Sequence, residues 1–398
     1  MKTSGTSPAL SVLPPPLDGE PLGLYVHVPF CGTTCDFCAF HQQTPQKGEV
    51  RQYLDLLARE TLLAPLERPL DTIFIGGGTP GLLSPGQIRE LGKIILEAYG
   101  EPRQEWTVEM TPASATPARL AAWQEIGVSR LSIGAQSFQP NYLEKLGRMH
   151  PREKIFEAFA TARRAGFDNI NLDLMFALPG QSWDEWEADL REVVALAPEH
   201  VSTYCLTFEE DTTLWWKLSR GEIRRDEDRE IEFYRKTPMW LAKEGYDRYE
   251  VSNYARGGFA CVHNVNTWKM GEWVGLGPSA SSQQGGWRGT NRSGLEAWGQ
   301  DLAADRRATI DRLPVTPLTR AVDRLIFGLR MPGGVEEKVL EKVLQQTCNP
   351  GWESLWEKLQ GEGLVIRKRG KGLRYHLSAE GFLLADRIGA EILAAGEG

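Results

Sequence analysis

The chain has 398 residues, 41% hydrophobic and 25% charged, and its 45 Lys and Arg against 53 Asp and Glu leave a net charge of -8. This composition is typical of a folded protein of two or three domains and excludes a disordered chain. The acidic balance does not suit binding to phosphates, so we expect no nucleic-acid partner. No apolar run reaches the ~18 residues of a membrane span, and we expect a soluble, cytoplasmic protein.

Residues 1–23 precede the first predicted strand. They contain five prolines, no arginine and no apolar periodicity. The segment has neither the pattern of a secretory signal nor that of an organelle transit peptide. We predict that it is disordered or polyproline-like.

From residue 24 to about residue 210, short β-branched or apolar runs alternate with amphipathic stretches. The runs predict strands near residues 24–28, 71–76, 106–110, 130–134, 169–174 and 201–207. The stretches between them predict helices at 53–63, 85–99, 117–126, 153–165 and 183–196. Six βα units predict an α/β fold built as a partial (β/α)6 barrel, whose chemistry lies at the carboxyl ends of the strands.

Three of the six cysteines, Cys31, Cys35 and Cys38, form a C-x3-C-x2-C cluster directly after the first predicted strand. In a reducing compartment clustered thiols indicate a metal or redox site rather than disulfides. A 4Fe-4S cluster on three thiolates has one iron open to another ligand. The alternative is zinc, which would need His27 or His41 as a fourth ligand.

The other three cysteines, Cys205, Cys261 and Cys348, are scattered along the chain. None of them has a partner at a metal-binding spacing. A free cysteine of this kind is usually a small buried side chain. We therefore expect no cofactor role for these three residues.

Polar and glycine residues gather where the predicted strands end. The run Gly76–Pro80 follows the second strand, Glu109 closes the third, Gln136 follows the fourth and Asp173 lies on the fifth. Successive glycines expose backbone amides to a close ligand. A strand-end carboxylate can also simply cap the next helix. Their shared edge, next to the cysteine loop, favours one ligand-binding site.

The segment from Tyr25 to Phe40, YVHVPFCGTTCDFCAF, resembles the cluster loop of the radical S-adenosylmethionine (SAM) superfamily. More narrowly it resembles the branch of HemN coproporphyrinogen III oxidases and HemW haem chaperones, over residues 24 to about 393. The resemblance implies a 4Fe-4S cluster on the three cysteines, with SAM on the open iron. It also implies reductive SAM cleavage, with an electron from a donor such as flavodoxin or ferredoxin.

The resemblance also implies roles for the residues at the strand ends. Tyr25 and Phe37 frame the cluster and SAM, the motif with Gly77, Gly78 and Thr79 meets the SAM amino group, and Glu109 binds the ribose. Three further residues match positions that contact a second SAM in HemN: Gln136, Arg148 and Asp173.

HemN-type oxidases have a fourth cysteine two residues after the third, and this chain has Phe40 there, as HemW-type sequences do. The segment His263–Trp268 is similar to the HemW motif H-N-x-x-Y-W, which is associated with haem, and His263 could ligate haem while Trp268 stacks on it. The motif's tyrosine is Thr267 here, and Ser281 replaces a histidine common in HemW sequences. The alternative for His263 is a hydrogen-bonded, buried histidine.

Residues 211–312 are expected to form a HemN/HemW-type extension that contains the His263 segment. Residues 313–398 predict helices at 317–330, 335–347 and 350–361, followed by a hairpin at 364–377 with a basic turn. Three helices and a hairpin resemble a winged helix. Because the chain is acidic overall, we expect a lid or protein-docking module here rather than a nucleic-acid-binding one.

The resulting hypothesis is a radical SAM protein that binds haem and transfers it to an acceptor protein, with peripheral contact to membrane-bound acceptors left open. The alternative is an enzyme that abstracts hydrogen from, or methylates, a tetrapyrrole or another substrate, as a coproporphyrinogen oxidase-like protein would. A third class is a cluster-bearing binding module without turnover. The sequence leaves open whether the chain is an enzyme.

Overall fold

The computed structural model describes residues 21–347, 350–370 and 372–396. The predicted N-terminal segment lies outside the described residues except at its end, where the first strand already begins at Leu22. Cys348, for which we expect no cofactor role, also lies outside them.

The first half of the chain forms the predicted barrel and confirms the α/β fold. Six consecutive parallel strands are β1 Leu22–Val28, β2 Thr72–Gly77, β3 Glu105–Met110, β4 Arg130–Gln136, β5 Ile170–Phe176 and β6 His200–Cys205. Six helices lie in the five connections between them, with both α4 and α5 between β4 and β5: α1 Glu49–Leu63, α2 Pro85–Tyr99, α3 Pro117–Glu125, α4 Pro140–Lys145, α5 Glu153–Arg164 and α6 Trp183–Leu196. Only the short α4 was not predicted.

Local sequence explains where these elements begin and what they bury. The strands are mostly apolar runs, and all seven residues of β4 are buried, as expected for parallel strands covered on both faces. Capping boxes start two of the helices: Ser84 with Gln87 at α2, and Ser182 with Glu185 at α6. Each box satisfies backbone amides that the first helical turn would leave unpaired.

The chain after β6 extends the same sheet at both edges. Its elements are α7 Thr213–Ser219, α8 Glu227–Lys243, β7 Asp247–Arg248, β8 Asn253–Ala255, α9 Val262–Trp268, β9 Glu272–Leu276, β10 Ser281–Gln284, β11 Trp287–Asn291, α10 Leu295–Ala303 and β12 Thr309–Pro314. The strand order is β12-β11-β10-β9-β1-β2-β3-β4-β5-β6-β8-β7. Since β9 runs parallel to β1, the strand before the cysteine loop is bonded on both sides.

The C-terminal part has a hydrophobic core of its own. It comprises α11 Pro317–Leu329, β13 Val335–Glu336, α12 Glu337–Thr347, α13 Pro350–Gly361, β14 Val365–Arg369, β15 Leu373–Leu377, α14 Ala379–Leu383 and α15 Ala385–Gly396. The three helices and the hairpin lie where they were predicted, and two further helices follow. An ion pair joins this part to the large sheet, with Arg288 of β11 2.9 Å from Asp323 of α11.

Within the described ranges, no helix combines the length and the apolar character that crossing a bilayer requires.

Candidate functional site

The loop after β1 carries the three cysteines, and backbone hydrogen bonds fix where it begins. Gly78 N donates to Val28 O at 2.8 Å, Thr79 N donates to Phe30 O at 2.7 Å, and Cys31 N donates to Gln43 O at 3.0 Å. Beside the first cysteine, Cys31 Sγ lies 3.3 Å from Thr79 Oγ1. The glycine-rich turn after β2 and the cysteine loop are therefore one connected structure.

Cys31, Cys35 and Cys38 are free and half-buried. Burial raises the pKa of the Cys31 and Cys38 thiols, their mutual repulsion adds to it, and the nearby Arg148 guanidinium opposes it. Thiolates are the ligands that iron-sulfur clusters use. A cluster with one thiolate on each of three irons suits this donor set.

The zinc alternative is less well supported. His27 uses both ring nitrogens within the protein, with Nδ1 3.2 Å from Tyr25 Oη and Nε2 2.9 Å from His41 O. His41 Nε2 accepts from Gly294 N at 3.1 Å. In the described part of the chain, no three His, Cys, Asp or Glu side chains have the arrangement of a single ion's ligands. Each cysteine of a 4Fe-4S cluster binds a different iron and needs no such arrangement.

The glycines after β2 leave room that a side chain would fill. A Cβ on Gly78 would lie 2.6 Å from Phe30 O, and one on Gly77, whose φ is +105°, would lie 2.7 Å from the His27 ring. Gly77 N also donates to Glu109 Oε2 at 3.2 Å. Only glycine lets the turn approach both the cysteine loop and the third strand.

The carboxylates of Glu109 and Asp173 interact electrostatically inside the barrel near this turn. Burial, followed by the charge of Asp173, raises the pKa of Glu109 to about 8. Burial also raises the pKa of Asp173, whose carboxylate accepts from Ser132 Oγ at 3.1 Å and Asn171 Nδ2 at 2.8 Å. Glu109 has spare acceptor capacity, since Gly77 N is its one hydrogen-bond partner among the described residues. Such a group suits a ligand hydroxyl.

Arg148 lies close to both Gln136 and Phe37. A Cβ on Gly134 would lie 2.8 Å from Gln136 Nε2 and 3.2 Å from the Arg148 guanidinium. The same guanidinium lies 5.8 Å from the centre of the Phe37 ring. Arg148 Nε is buried and has no hydrogen-bond partner among the described residues. An unsatisfied, cationic donor next to the cysteine loop fits a carboxylate-bearing ligand such as SAM.

Tyr25 lies on β1 between the two ends of the barrel. Its ring packs against Phe74, with centroids 6.2 Å apart, and its pKa is raised by burial and by the charge of Glu109. A neutral phenol is therefore expected beside the carboxylates.

His263 lies at the opposite end of the barrel from the cysteines. Its Nδ1 is 2.9 Å from the hydroxyl of Thr72, the first residue of β2, whereas Gly77 and Gly78 are at the far end of that strand. Its ring packs on Phe74 at 5.2 Å, and burial lowers its pKa to about 4. The imidazole is a buried, hydrogen-bonded part of the interior, as in the alternative interpretation of the motif.

The rest of the His263 segment is also engaged within the protein. Thr267 Oγ1 donates to His263 O at 3.0 Å. Trp268 packs on Phe327 of α11, with ring centroids 5.8 Å apart. Ser281 Oγ lies 3.1 Å from Thr290 Oγ1. Trp268 therefore joins α9 to the C-terminal part, and haem ligation by His263 stays a prediction that would require α9 to move.

Asp36, in the cysteine loop, was not singled out from the sequence. Its backbone N donates to Leu146 O at 3.1 Å, its O accepts from Leu214 N at 2.9 Å, and its carboxylate is 2.9 Å from Lys217 Nζ. These contacts attach the loop to the segment after β4 and to α7. Nothing in the sequence pairs Asp36 with residues about 110 and 180 positions away.

Comparison with known proteins agrees with this geometry. The family model of the radical SAM superfamily matches residues 25–193. "Heme chaperone HemW" of Bacillus subtilis (strain 168) is 32% identical over 371 residues, which are 92% of this chain and 97% of that protein. "Radical S-adenosyl methionine domain-containing protein 1, mitochondrial" of Bos taurus is 30% identical over 93% of this chain and 87% of its own length.

A solved structure shares the fold. The coproporphyrinogen III oxidase HemN of Escherichia coli, described as a radical SAM enzyme, superposes with a TM-score of 0.81 over 94% of this chain and 90% of that one, at 23% identity. The near full-length match to the Bacillus protein and the family-model match over the barrel agree on one assignment. The chain belongs to the radical SAM superfamily and, within it, to the HemW family.

Proposed function

We propose that the chain is a haem chaperone that uses a 4Fe-4S cluster and SAM, binding haem as cargo and transferring it to an acceptor protein. The observation that carries the proposal is the three-cysteine loop with Phe40 in place of a fourth cysteine, in a chain that matches HemW proteins over nearly its whole length. The three free thiols suit a reducing compartment, and we place the protein in the cytoplasm.

In this proposal Cys31, Cys35 and Cys38 hold the cluster, and the residues around it hold SAM. Gly77, Gly78 and Thr79 present the turn to the SAM amino group, and Glu109 accepts from the ribose hydroxyls. Tyr25 and Phe37, which lies beside Arg148, frame the cluster and SAM. When bound, the reduced cluster supplies the electron that cleaves SAM, and it receives that electron from a flavodoxin or ferredoxin.

Gln136, Arg148 and Asp173 are assigned to the same binding site. The unsatisfied Arg148 Nε supports this assignment, because a ligand carboxylate there would satisfy a buried donor. We assign these three residues to SAM binding. The number of SAM molecules bound per protein will decide whether they contact a second SAM. His263 remains a candidate haem ligand only if haem binding opens α9.

The first test is anaerobic reconstitution of the wild-type protein, followed by measurement of iron, sulfide and SAM binding. A Cys31→Ala/Cys35→Ala/Cys38→Ala protein should lose the cluster, whereas Cys205→Ala, which removes a half-buried cysteine elsewhere, should keep it. A triple variant with a full complement of iron and sulfide would refute the cluster assignment.

The second test is haem titration of the reconstituted protein, followed by absorbance and gel filtration. We expect stoichiometric haem that stays with the protein and moves to an acceptor. The enzyme alternative expects 5'-deoxyadenosine in proportion to a consumed tetrapyrrole. Haem-free protein with that stoichiometry would replace the chaperone proposal by the enzyme one.

A further inference from the structure

Three segments of the chain meet around the cysteines. They are the cysteine loop, the connection from β4 to α5, and α7 with its caps, and we call them the loop face: residues 29–48, 137–152 and 212–220. Asp36 of the cysteine loop joins all three, since its N donates to Leu146 O at 3.1 Å and its O accepts from Leu214 N at 2.9 Å. The ion pair of Asp36 with Lys217 adds a second contact to α7.

Each segment of the loop face carries one large apolar side chain that solvent reaches. Phe40 of the cysteine loop is 72% exposed, Met149 after β4 is 82% exposed and Trp216 of α7 is 53% exposed. Exposed apolar side chains that are grouped in this way mark contacts with other molecules. Aromatic residues and methionine are enriched at protein–protein interfaces. The loop face therefore has the composition of a protein-docking surface.

The loop face is also basic, although the chain is acidic. It contains six Lys and Arg against two Asp and Glu, whereas the whole chain has a net charge of -8. Three of the cations, again one in each segment, are exposed and have no carboxylate partner among the described residues: Lys47, Lys145 and Arg220. Such a surface attracts a partner that carries negative charge.

The cysteines themselves belong to the loop face. Cys31, Cys35 and Cys38 are only half-buried, so a protein that contacts this face comes close to the redox group that these thiols hold. Electron transfer between proteins requires such proximity, and electron-transfer encounters use small interfaces. A surface that is apolar, basic and next to a redox centre suits a small acidic redox protein.

We propose that the loop face is the docking surface of the electron donor, a small acidic flavin or iron-sulfur protein of low reduction potential. One electron passes from the reduced donor to the oxidised cluster, and no bond forms or breaks. The three exposed apolar side chains contact the donor, and the three exposed cations attract its carboxylates. This rests on the cluster and the donor of the proposed function and adds where the donor binds.

The first measurement is the affinity of oxidised flavodoxin, an acidic flavin protein, for the cluster-loaded and the cluster-free protein by calorimetry. At low salt Lys47→Glu/Arg220→Glu should weaken binding by about tenfold, because two attractive charges become repulsive. Added salt should reduce that difference. Phe40→Ser/Met149→Ser should weaken binding at every salt concentration, since it removes apolar contacts.

Two further variants make the charge effect specific. Lys243→Glu/Arg369→Glu reverses two exposed cations of α8 and β14 and should keep the wild-type affinity. Glu144→Gln removes the exposed carboxylate beside Lys145 and should tighten binding, because that carboxylate repels an acidic partner.

The second measurement is the rate of cluster reduction, followed by the absorbance of the cluster. With limiting reduced flavodoxin, Lys47→Glu/Arg220→Glu and Phe40→Ser/Met149→Ser should each be reduced about tenfold more slowly than the wild type. With dithionite, a small reductant that needs no docking surface, all variants should be reduced at the wild-type rate.

Wild-type affinity and wild-type reduction by flavodoxin in both loop-face variants would overturn the docking surface, and so would an equal loss in the control Lys243→Glu/Arg369→Glu. A wild-type dimer that Phe40→Ser/Met149→Ser dissociates would assign the face to a second copy instead. If dithionite reduces the cluster but flavodoxin binds neither form, the docking proposal fails and the cluster stands. A protein without a reducible cluster refutes the proposed function, and the flavodoxin affinity of its cluster-free form still decides the docking surface.

Discussion

Gln136 ends β4 with a φ of 68°, a left-handed conformation in a residue that is not glycine. The pairing of β4 with β5 shifts register between Gly134 and Gln136, so the backbone leaves the regular ladder at this point. Non-glycine residues in such conformations cost free energy and persist where the surroundings hold them. Here the change of direction brings Gln136 Nε2 back over Gly134, beside Arg148, which is where the proposed SAM site needs a polar group.

The residue-scale prediction concerns Gly78. An added methyl would lie 2.6 Å from Phe30 O and 2.9 Å from Val28 O, and these are backbone atoms that cannot rotate away. Gly78→Ala should therefore displace the start of the cysteine loop, destabilise the fold by about 1–3 kcal/mol and lower iron retention after reconstitution.

Gly86→Ala is the matched control, because Gly86 lies in α2 with nothing within 4 Å of an added Cβ. It should be neutral or stabilising by up to about 1 kcal/mol. Chemical denaturation and iron analysis of both variants make the comparison. Iron retention by Gly78→Ala equal to that of the control would show that the turn does not constrain the loop.

At the scale of elements, α9 is held by β3 and β2 rather than by its own sequence. Glu105 of β3 accepts hydrogen bonds from Val262 N at 3.1 Å and His263 N at 3.2 Å, and so caps a helix that has no capping side chain of its own. Cys261 Sγ donates to the same carboxylate at 3.2 Å. A carboxylate at a helix N-terminus also interacts favourably with the helix dipole. The helix thus closes the amino-terminal end of the barrel.

This packing predicts a pH dependence of stability. Burial lowers the pKa of His263 to about 4, and the buried Arg130 cation adds to the effect, whereas an unfolded histidine titrates near ~6.5. The unfolded chain then binds more protons between these values, so the contribution of His263 is present above pH ~6.5 and is lost as the pH falls toward 4.

His263→Gln removes the titrating group. Between pH 7 and pH 5 the wild type should lose about 2 kcal/mol more unfolding free energy than this variant. Urea denaturation at the two pH values measures the difference. Parallel losses in the two proteins would mean that the imidazole ring of His263 is accessible enough to be protonated in the folded state.

At the scale of the whole molecule, polar and aromatic contacts join the C-terminal part to the large sheet. Asp323 of α11 is buried, and its carboxylate accepts from Arg288 of β11 at 2.9 Å. Arg248 lies 3.9 Å from the ring centre of Phe382 of α14. Trp268 and Phe327 add an apolar contact. These contacts anchor the C-terminal part beside both edges of the sheet.

Arg288→Met should leave the buried Asp323 carboxylate without its cation and lower the unfolding free energy by about 1–3 kcal/mol. The effect is kept below that of a fully buried pair because Arg288 is partly exposed. Arg288→Met/Asp323→Asn should recover most of the loss, since it removes the uncompensated charge. Equal denaturation midpoints for wild type and Arg288→Met would refute the role of the pair.

The sequence predicted the barrel strands well because each is a short apolar run between turn residues. It could not predict that β9 pairs with β1, because that contact joins residues about 250 positions apart and no local pattern encodes it. The environment of His200 is equally non-local. This residue starts β6, where Asn171 at 2.7 Å and Tyr249 at 2.8 Å satisfy both ring nitrogens of a buried polar residue.

For the candidate site, motif spacing identified the cysteines and the strand-end residues, since the carboxyl ends of parallel strands share one edge. It did not reveal Asp36, whose partners come from distant segments. It also did not locate His263, because a motif gives residue types but not which end of the barrel they reach.

The position of β1 inside the sheet has a consequence for how the protein is made. On the ribosome, β2 can bond one side of β1 early, but the other side stays open until Glu272–Leu276 have been synthesised. Until then the strand that leads into the cysteine loop has an exposed edge, which is prone to wrong pairing. The strand that leads into the cysteine loop thus gains its second neighbour only after most of the polypeptide has been synthesised.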